Sequence, residues 1–155
     1  MKLRIEVSDV CAEDEVIIRC SSVNETVQKV QAYIQSLASP KLTFYKGNQE
    51  FYLALSEILF FETEGEQVYA HTGDDAFRVR YRLYELETML SRAFIRVAKG
   101  TIVNTVRIYA IHRNLTASSQ IQFMGTHKHV YVSRHYYKAL KDRMQERGGR
   151  DENRK

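Results

Sequence analysis

Apolar and polar positions alternate over residues 2–7, with Leu3, Ile5 and Val7 on one side, and a β-branched run at 16–20 follows the acidic turn at 12–15. A period of two predicts strands, because successive side chains point to opposite faces of a pleat. Asn24 stands where a helix needs its cap. Val27, Val30, Tyr33, Ile34 and Leu37 recur at helical spacing behind it, so a helix is expected over residues 25–37. Pro40 is the only proline and marks a boundary. The first forty residues therefore read as a small ββα appendage (1–40).

From residue 41 the pattern is β-rich. Runs at 42–46 and 50–55 flank Gly47-Asn48, a hairpin signal, and 58–62 reads as a buried strand. A loop containing Gly65 is expected at 63–66, a strand at 67–71, a turn at Gly73-Asp74-Asp75 and a strand at 76–80. Leu83, Leu86, Met89 and Leu90 fit a short amphipathic helix. A strand at 94–97 leads to a loop or single helical turn at 98–104, then strands at 108–112, 121–124 and 129–132. Ser133 is expected to cap a last helix over 134–147, and the glycine- and charge-rich 148–155 reads as a disordered tail. The fold class expected is mostly β with short helices (α+β), in a main domain over 41–147. Nothing alternates in a βαβ manner, which disfavours a Rossmann-type enzyme. No two helices lie close together in the second half, which disfavours helix-turn-helix.

Charge changes the picture. The net +4 hides a strong polarity: residues 88–147 hold eleven basic and two acidic side chains, against four and six in 1–40 and five and nine in 41–87. One part of the molecule should attract polyanions. Without helix-turn-helix, any DNA reading must come from loops and strand ends. No apolar run reaches the ~18–20 residues of a membrane helix, and the charged, alternating start is no signal peptide. Cys11 and Cys20 form no C-x-x-C pair and read as reduced thiols of a cytoplasmic protein, with a redox pair open if their strands adjoin. There is no P-loop, nucleophile elbow or glycine-rich phosphate cradle, so no enzyme is expected. His127 and His129, with His135 nearby, are the one metal-like pattern; no acid or Cys neighbours them and Lys128 opposes a cation. No metal, other cofactor or small-molecule substrate is therefore expected.

The stretch FIRV, a short basic insert, TIVN, I-x-x-I, a hairpin and VSRHYYKALK resembles the LytTR family of bacterial DNA-binding domains. That family is written F-[IV]-R-[IV]-x-[KRN]-S-x-[IV]-[IV]-N with a closing [IV]-S-R-x-Y. The lead-in ILFFETEGEQVYAHT resembles the family's first core strand pair, and the resemblance covers residues 41–144. Ala98 and Gly100 depart from it, standing where relatives often carry Ser or His. The resemblance implies an elongated, mostly-β fold that inserts loop residues into the major groove. It further implies imperfect repeated double-stranded sites filled by two copies, hence a homodimer at least on DNA. Free-standing members without a receiver domain resemble parts of small systems with a membrane-bound inhibitor protein.

Lys99, between two small residues, can approach a groove and donate to guanine O6 and N7; the resemblance places a base contact there. Gly100 and Thr101 offer backbone N–H groups to phosphate. Arg134 and His135 open the last helix, whose free N–H groups and partial positive charge suit an anion. Lys138 and Lys141 are i, i+3 neighbours suited to phosphate, with Arg143 beyond them. Arg96 alternates with Ile95 and Val97 and either supports the loop or touches phosphate. Gln67 lies in a second loop that the resemblance turns toward DNA, beside the acidic Glu64 and Glu66. Asn104 reads as structural, bonding loop backbone, and Tyr136 and Tyr137 as packing residues. The expected function is a sequence-specific double-stranded DNA-binding transcriptional regulator. The alternative is a protein-interaction module, partner or antagonist of a membrane-bound regulator, that keeps the fold.

Overall fold

The structure, a computed structural model, describes residues 2, 4–7, 9–10 and 15–152. It divides into two compact units, Met1–Ala38 and Ser39–Lys155. Among the described residues no helix is long and apolar enough to cross a membrane.

In the first unit helix α1 spans Glu25–Ala38. Asn24 caps it as expected: its Oδ1 accepts from the Val27 N–H at 3.0 Å. Glu25 and Lys29 pair one turn apart at 2.6 Å. The two strands expected at 2–7 and 16–20 are not formed among the described residues; residues 3, 8 and 11–14, including Cys11, lie outside them. Alternation alone does not make a strand, because the backbone groups also need a ladder partner. Ile5, Val7, Val16 and Ile17 are exposed, and so is Cys20.

The second unit is built from β1 (Phe44–Lys46), β2 (Gln49–Phe51), a 3-10 turn (Leu55–Glu57), β3 (Phe60–Glu64), β4 (Gln67–His71), β5 (Ala76–Val79) and α2 (Leu83–Met89). There follow β6 (Phe94–Ala98), β7 (Thr101–Asn104), a 3-10 turn (Thr105–Arg107), β8 (Ile108–His112), β9 (Ser119–Phe123), β10 (His129–Val132) and α3 (Arg134–Glu152). A seven-stranded sheet runs β2-β1-β5-β4-β3-β7-β6 and a three-stranded sheet β10-β9-β8. All pairings are antiparallel. Among the described residues of both units the chain is mostly β with three helices, an α+β arrangement.

The large sheet is covered on both faces. Phe44, Ile58, Phe61, Val79 and Ile102 form one core with Leu83 and Leu86 of α2. Phe60, Val97 and Val103 form the other with Ile121, Phe123, Val130 and Val132 of the small sheet and Leu140 of α3. Two-sided burial explains why β3 starts with consecutive phenylalanines: Phe60 and Phe61 point to opposite cores. Tyr136 and Tyr137 pack against the second core, as expected of them.

The segment expected as a loop at 98–104 is instead a turn at Lys99-Gly100 and a buried strand, β7, between β3 and β6. Buried on both faces, Thr101–Asn104 has no alternation to betray it. Likewise Thr63 and Glu64, expected in a loop, extend β3 to a tight turn at Gly65-Glu66. Gly65 has φ +62°, a conformation that favours glycine. The last helix continues past residue 147 to Glu152, so the expected tail is helical over 148–152, and 153–155 lie outside the described residues.

Candidate nucleic-acid interface

The sheet order brings two hairpin turns to one end of the large sheet. β3 and β7 are neighbours, with Glu62 opposite Thr101, and the Thr63 N–H donates to the Gly100 carbonyl at 2.9 Å. The Lys99-Gly100 turn therefore sits beside the β3–β4 hairpin, whose turn lies two residues further along β3. Lys99 is exposed at its tip. An added Cβ on Gly100 would meet Thr63 Cβ at 3.8 Å, an ordinary contact. Thr101, expected to help bind phosphate, is 6% exposed and belongs to the ladder. Its place is under the turn.

Arg96 shapes that turn. Its Nε donates to the Ala98 carbonyl at 3.3 Å, a second guanidinium nitrogen donates to the Lys99 carbonyl, and a third reaches Glu87 Oε2 at 2.9 Å. The side chain is 20% exposed. The strand pairing shifts register between Arg96 and Ala98. A fork holding two successive carbonyls fixes the direction in which Lys99 leaves the sheet. Of the two roles expected for Arg96, the geometry matches support of the loop.

The start of α3 is tied to the same hairpin. The Ser133 N–H donates to the Val97 carbonyl at 2.9 Å. Ser133 does not cap with its side chain: its carbonyl accepts from the Tyr136 N–H at 3.1 Å, while its buried Oγ has no hydrogen-bond partner. The first turn thus lacks the oxygen that normally meets its N–H groups. Arg134 and His135 are both exposed here, and His135 meets Tyr136 edge-on at 4.9 Å. Arg134 donates to the Thr116 carbonyl at 2.6 Å.

That bond adds an element the sequence reading passed over, the β8–β9 loop at 113–118. Asn114 Oδ1 accepts from the N–H groups of Thr116 and Ala117, a side-chain-built turn, and the Asn114 N–H donates to Ser119 Oγ at 3.2 Å. Arg113 lies 5.5 Å from the Tyr137 ring, and Leu115 is 79% exposed at the loop's crest. The signal available was R-N-L-T-A-S-S, a basic residue followed by an Asx-turn former. Tyr109 and Tyr131, exposed on the small sheet, are aromatics the sequence alone did not place.

Further along α3, Lys138 and Lys141 are exposed. Arg143 and Arg147 turn inward: Arg143 donates to the Arg92 carbonyl and Arg147 to the Thr105 carbonyl at 2.6 Å. Arg92 pairs with Glu146 at 2.8 Å. Beyond its first turn, then, the helix leaves Lys138 and Lys141 to water and uses Arg143 and Arg147 to fasten itself to the domain. Asn104 is structural, its Nδ2 donating to the Ile58 carbonyl at 3.0 Å and its Oδ1 accepting from the Val106 N–H at 3.1 Å.

On the β3–β4 hairpin Gln67 is exposed and its Oε1 accepts from the Tyr69 hydroxyl at 3.1 Å. Glu62 and Glu64 share its strand-pair face. Burial first, then the Glu64 charge, raise the Glu62 carboxyl above its usual range. His71 is pushed down to about 4 by burial, then by the Lys128 charge, and is neutral at pH 7. Of the nine residues singled out for DNA, Lys99, Gly100, Thr101, Arg96, Arg134 and Gln67 are thus linked through two hairpins and one helix start. His135 adjoins Arg134, while Lys138 and Lys141 continue along α3.

A family model described as the LytTr DNA-binding domain matches residues 48–145. Uncharacterized HTH-type transcriptional regulators of Staphylococcus aureus are similar over nearly their whole length. That of strain NCTC 8325 is 28% identical over 145 residues, 93% of this chain and 98% of the relative. That of the bovine strain RF122 is 29% identical over 147 residues with the same coverage. A solved LytTr DNA-binding domain from Bacillus cereus superimposes with a TM-score of 0.63 at 20% identity, covering 68% of this chain and 98% of that one. The relatives carry helix-turn-helix in their name, yet here no two helices follow one another among the described residues. The match over residues 48–145 takes in every strand from Gln49 to Val132 and the start of the last helix, and the chain belongs to the LytTr DNA-binding domain family.

Proposed function

We propose that this protein is a sequence-specific regulator of transcription that reads double-stranded DNA with the Lys99-Gly100 turn and the start of α3. The observation that carries this reading is the Ser133–Val97 hydrogen bond. It joins an exposed lysine on a two-residue tip to a helix start lacking a side-chain cap, in a segment with eleven basic and two acidic residues. A tip of that size fits the ~12 Å major groove, and Lys99 donates to guanine edges there. The first-turn N–H groups of α3 receive a phosphate, and Lys138 and Lys141 neutralise others. Arg96 acts beneath the turn as a positioning residue. Gln67 reads from the second hairpin, where Glu64 and Glu66 penalise phosphate and favour a cytosine amino group. The transcriptional-regulator names of the staphylococcal relatives support the same reading. Two copies on repeated sites follow from family resemblance, and the unit Met1–Ala38, outside the matched segment, serves oligomerisation or signal input.

The test is selection of randomised duplex DNA by the full chain at two salt concentrations. A repeated motif should emerge, with binding falling steeply as salt rises, by close to one decade-per-decade for each phosphate neutralised. Lys99→Ala should lose ~1–3 kcal/mol of binding and relax the preference at one base pair. Enrichment of no motif, with only weak salt-sensitive binding, overturns the reading and turns attention to a protein partner such as a membrane-bound regulator.

A further inference from the structure

Glu62, Glu64 and His71 converge on one face of the large sheet, between the second core and the hairpin turns. Glu62 and Glu64 are two apart on β3 and so project the same way, and His71 stands opposite Phe60 on β4. His71 Nε2 lies 3.9 Å from a carboxylate oxygen of Glu62 and 3.9 Å from one of Glu64, and the three donor atoms all lie within 4.8 Å of one another. The ring is stacked on Phe60 with centroids 4.3 Å apart, which fixes its direction. Its Nε2 is buried and has no hydrogen-bond partner.

We propose that Glu62, Glu64 and His71 bind a first-row divalent transition-metal ion. Local interactions leave this cluster unexplained. A gap of 3.9 Å is too long for a hydrogen bond, and a neutral imidazole forms no ion pair. One imidazole nitrogen and two carboxylate oxygens, each able to ligate a metal ion, face one another. A metal ion supplies the missing positive partner and relieves the repulsion between the carboxylates. Tetrahedral coordination with bonds of ~2.0–2.2 Å puts donors roughly 3.4 Å apart. The cluster is within a rotamer adjustment of that spacing, and the two glutamates, 40% and 58% exposed, are free to make it. The histidine, 13% exposed, forms the fixed floor, and the solvent side leaves room for water as a further ligand. One imidazole with two carboxylates suits zinc, cobalt, nickel or manganese better than calcium or magnesium. Burial also keeps the imidazole neutral and able to ligate at physiological pH. The Lys128 ammonium opposes the ion but is held on the Asp75 carbonyl at 2.7 Å.

The site shares Glu64 with the second hairpin of the proposed DNA reading, so it is tested without DNA. The full chain, stripped with a chelator, is titrated with Co²⁺ and followed by its visible ligand-field bands, then with Zn²⁺ by calorimetry. One ion per chain is expected. Glu62→Gln with Glu64→Gln should weaken binding by about tenfold or more, a loss of ~1.4 kcal/mol or greater. These are solvent-side changes that leave both cores intact, which circular dichroism checks. His127→Gln with His129→Gln should leave binding unchanged. Failure of the parent chain to bind one ion, undiminished binding in the double carboxamide variant, or loss only in the His127/His129 variant would each overturn the site.

Discussion

Replacing Arg96 by methionine separates two roles that one side chain can play at a turn proposed to bind DNA. Methionine keeps the aliphatic length and removes the guanidinium, so the bonds to the Ala98 and Lys99 carbonyls and to Glu87 are lost together. The Glu87 carboxylate is half exposed, so that ion pair contributes no more than ~0.5 kcal/mol. The two carbonyl bonds come from a charged donor that is 20% exposed and are worth about 1 kcal/mol each after exchange with water. The sum is a destabilisation of about 2–3 kcal/mol, read from urea unfolding of the full chain. Affinity for the selected DNA should fall as the turn loosens, yet the dependence of log K on log salt should keep its slope, because no phosphate contact is lost. In an Arg96→Met background Lys99→Ala should cost clearly less than in the parent, since a badly aimed lysine has less to lose. The positioning argument is refuted by a stability change below about 0.5 kcal/mol together with a salt slope shallower by about one. That pair of results would mark Arg96 as a phosphate contact.

Lys141→Ala should weaken binding to all sequences alike and reduce the salt slope by about one, measured on matched and scrambled duplexes; a sequence-dependent loss would contradict a phosphate role. Asn104→Ala should destabilise the chain by about 2–4 kcal/mol in urea, since it leaves the buried Ile58 carbonyl and the Val106 N–H without their partners. His71 is protonated more readily unfolded than folded, its folded pKa of about 4 lying below the ordinary 6.5. The folded state is therefore not penalised above pH 6.5 and loses stability as the pH falls from 6.5 toward 4, by up to about 3 kcal/mol. The raised Glu62 carboxyl works in the opposite sense at the acid end. Urea unfolding of the parent and of His71→Gln across that range should show a shallower acid slope in the variant.

The parts of the fold legible in the sequence were those with a local physical signature. Asn24 before an apolar helical repeat yielded α1 and its cap, and the strand expected at 129–132 is β10, His129–Val132. Arg96 was assigned to the opposite side of its strand from Ile95 and Val97, and those two do join the second core. The losses have one cause: structure set by distant partners. Thr101–Asn104 is a strand only because β3 and β6 flank it, and a short doubly buried run shows no period. The converse holds at residues 2–7 and 16–20, where alternation is present and no ladder forms among the described residues. Within the candidate site, Lys99 at an exposed tip was readable from its small neighbours. Which oxygens Arg96 and Arg134 would engage was not, because the Thr116 carbonyl is eighteen positions away from Arg134 in sequence. Ser133 shows how a residue type suggests a role that the backbone pre-empts.

The Ser133–Val97 bond bears on how such a reader changes its target. With the helix start stitched to the hairpin, and the β8–β9 loop stitched to the helix through Arg134, the separation and phase of the groups proposed to contact DNA are set by the domain before any duplex arrives. Docking then needs little ordering of these segments, which favours slow release over fast capture. A new recognition sequence cannot be reached by sliding one element against another. It has to be reached by exchanging side chains on a fixed template, and the two-residue tip at Lys99-Gly100, which contributes nothing to either core, is the position where exchange disturbs folding least.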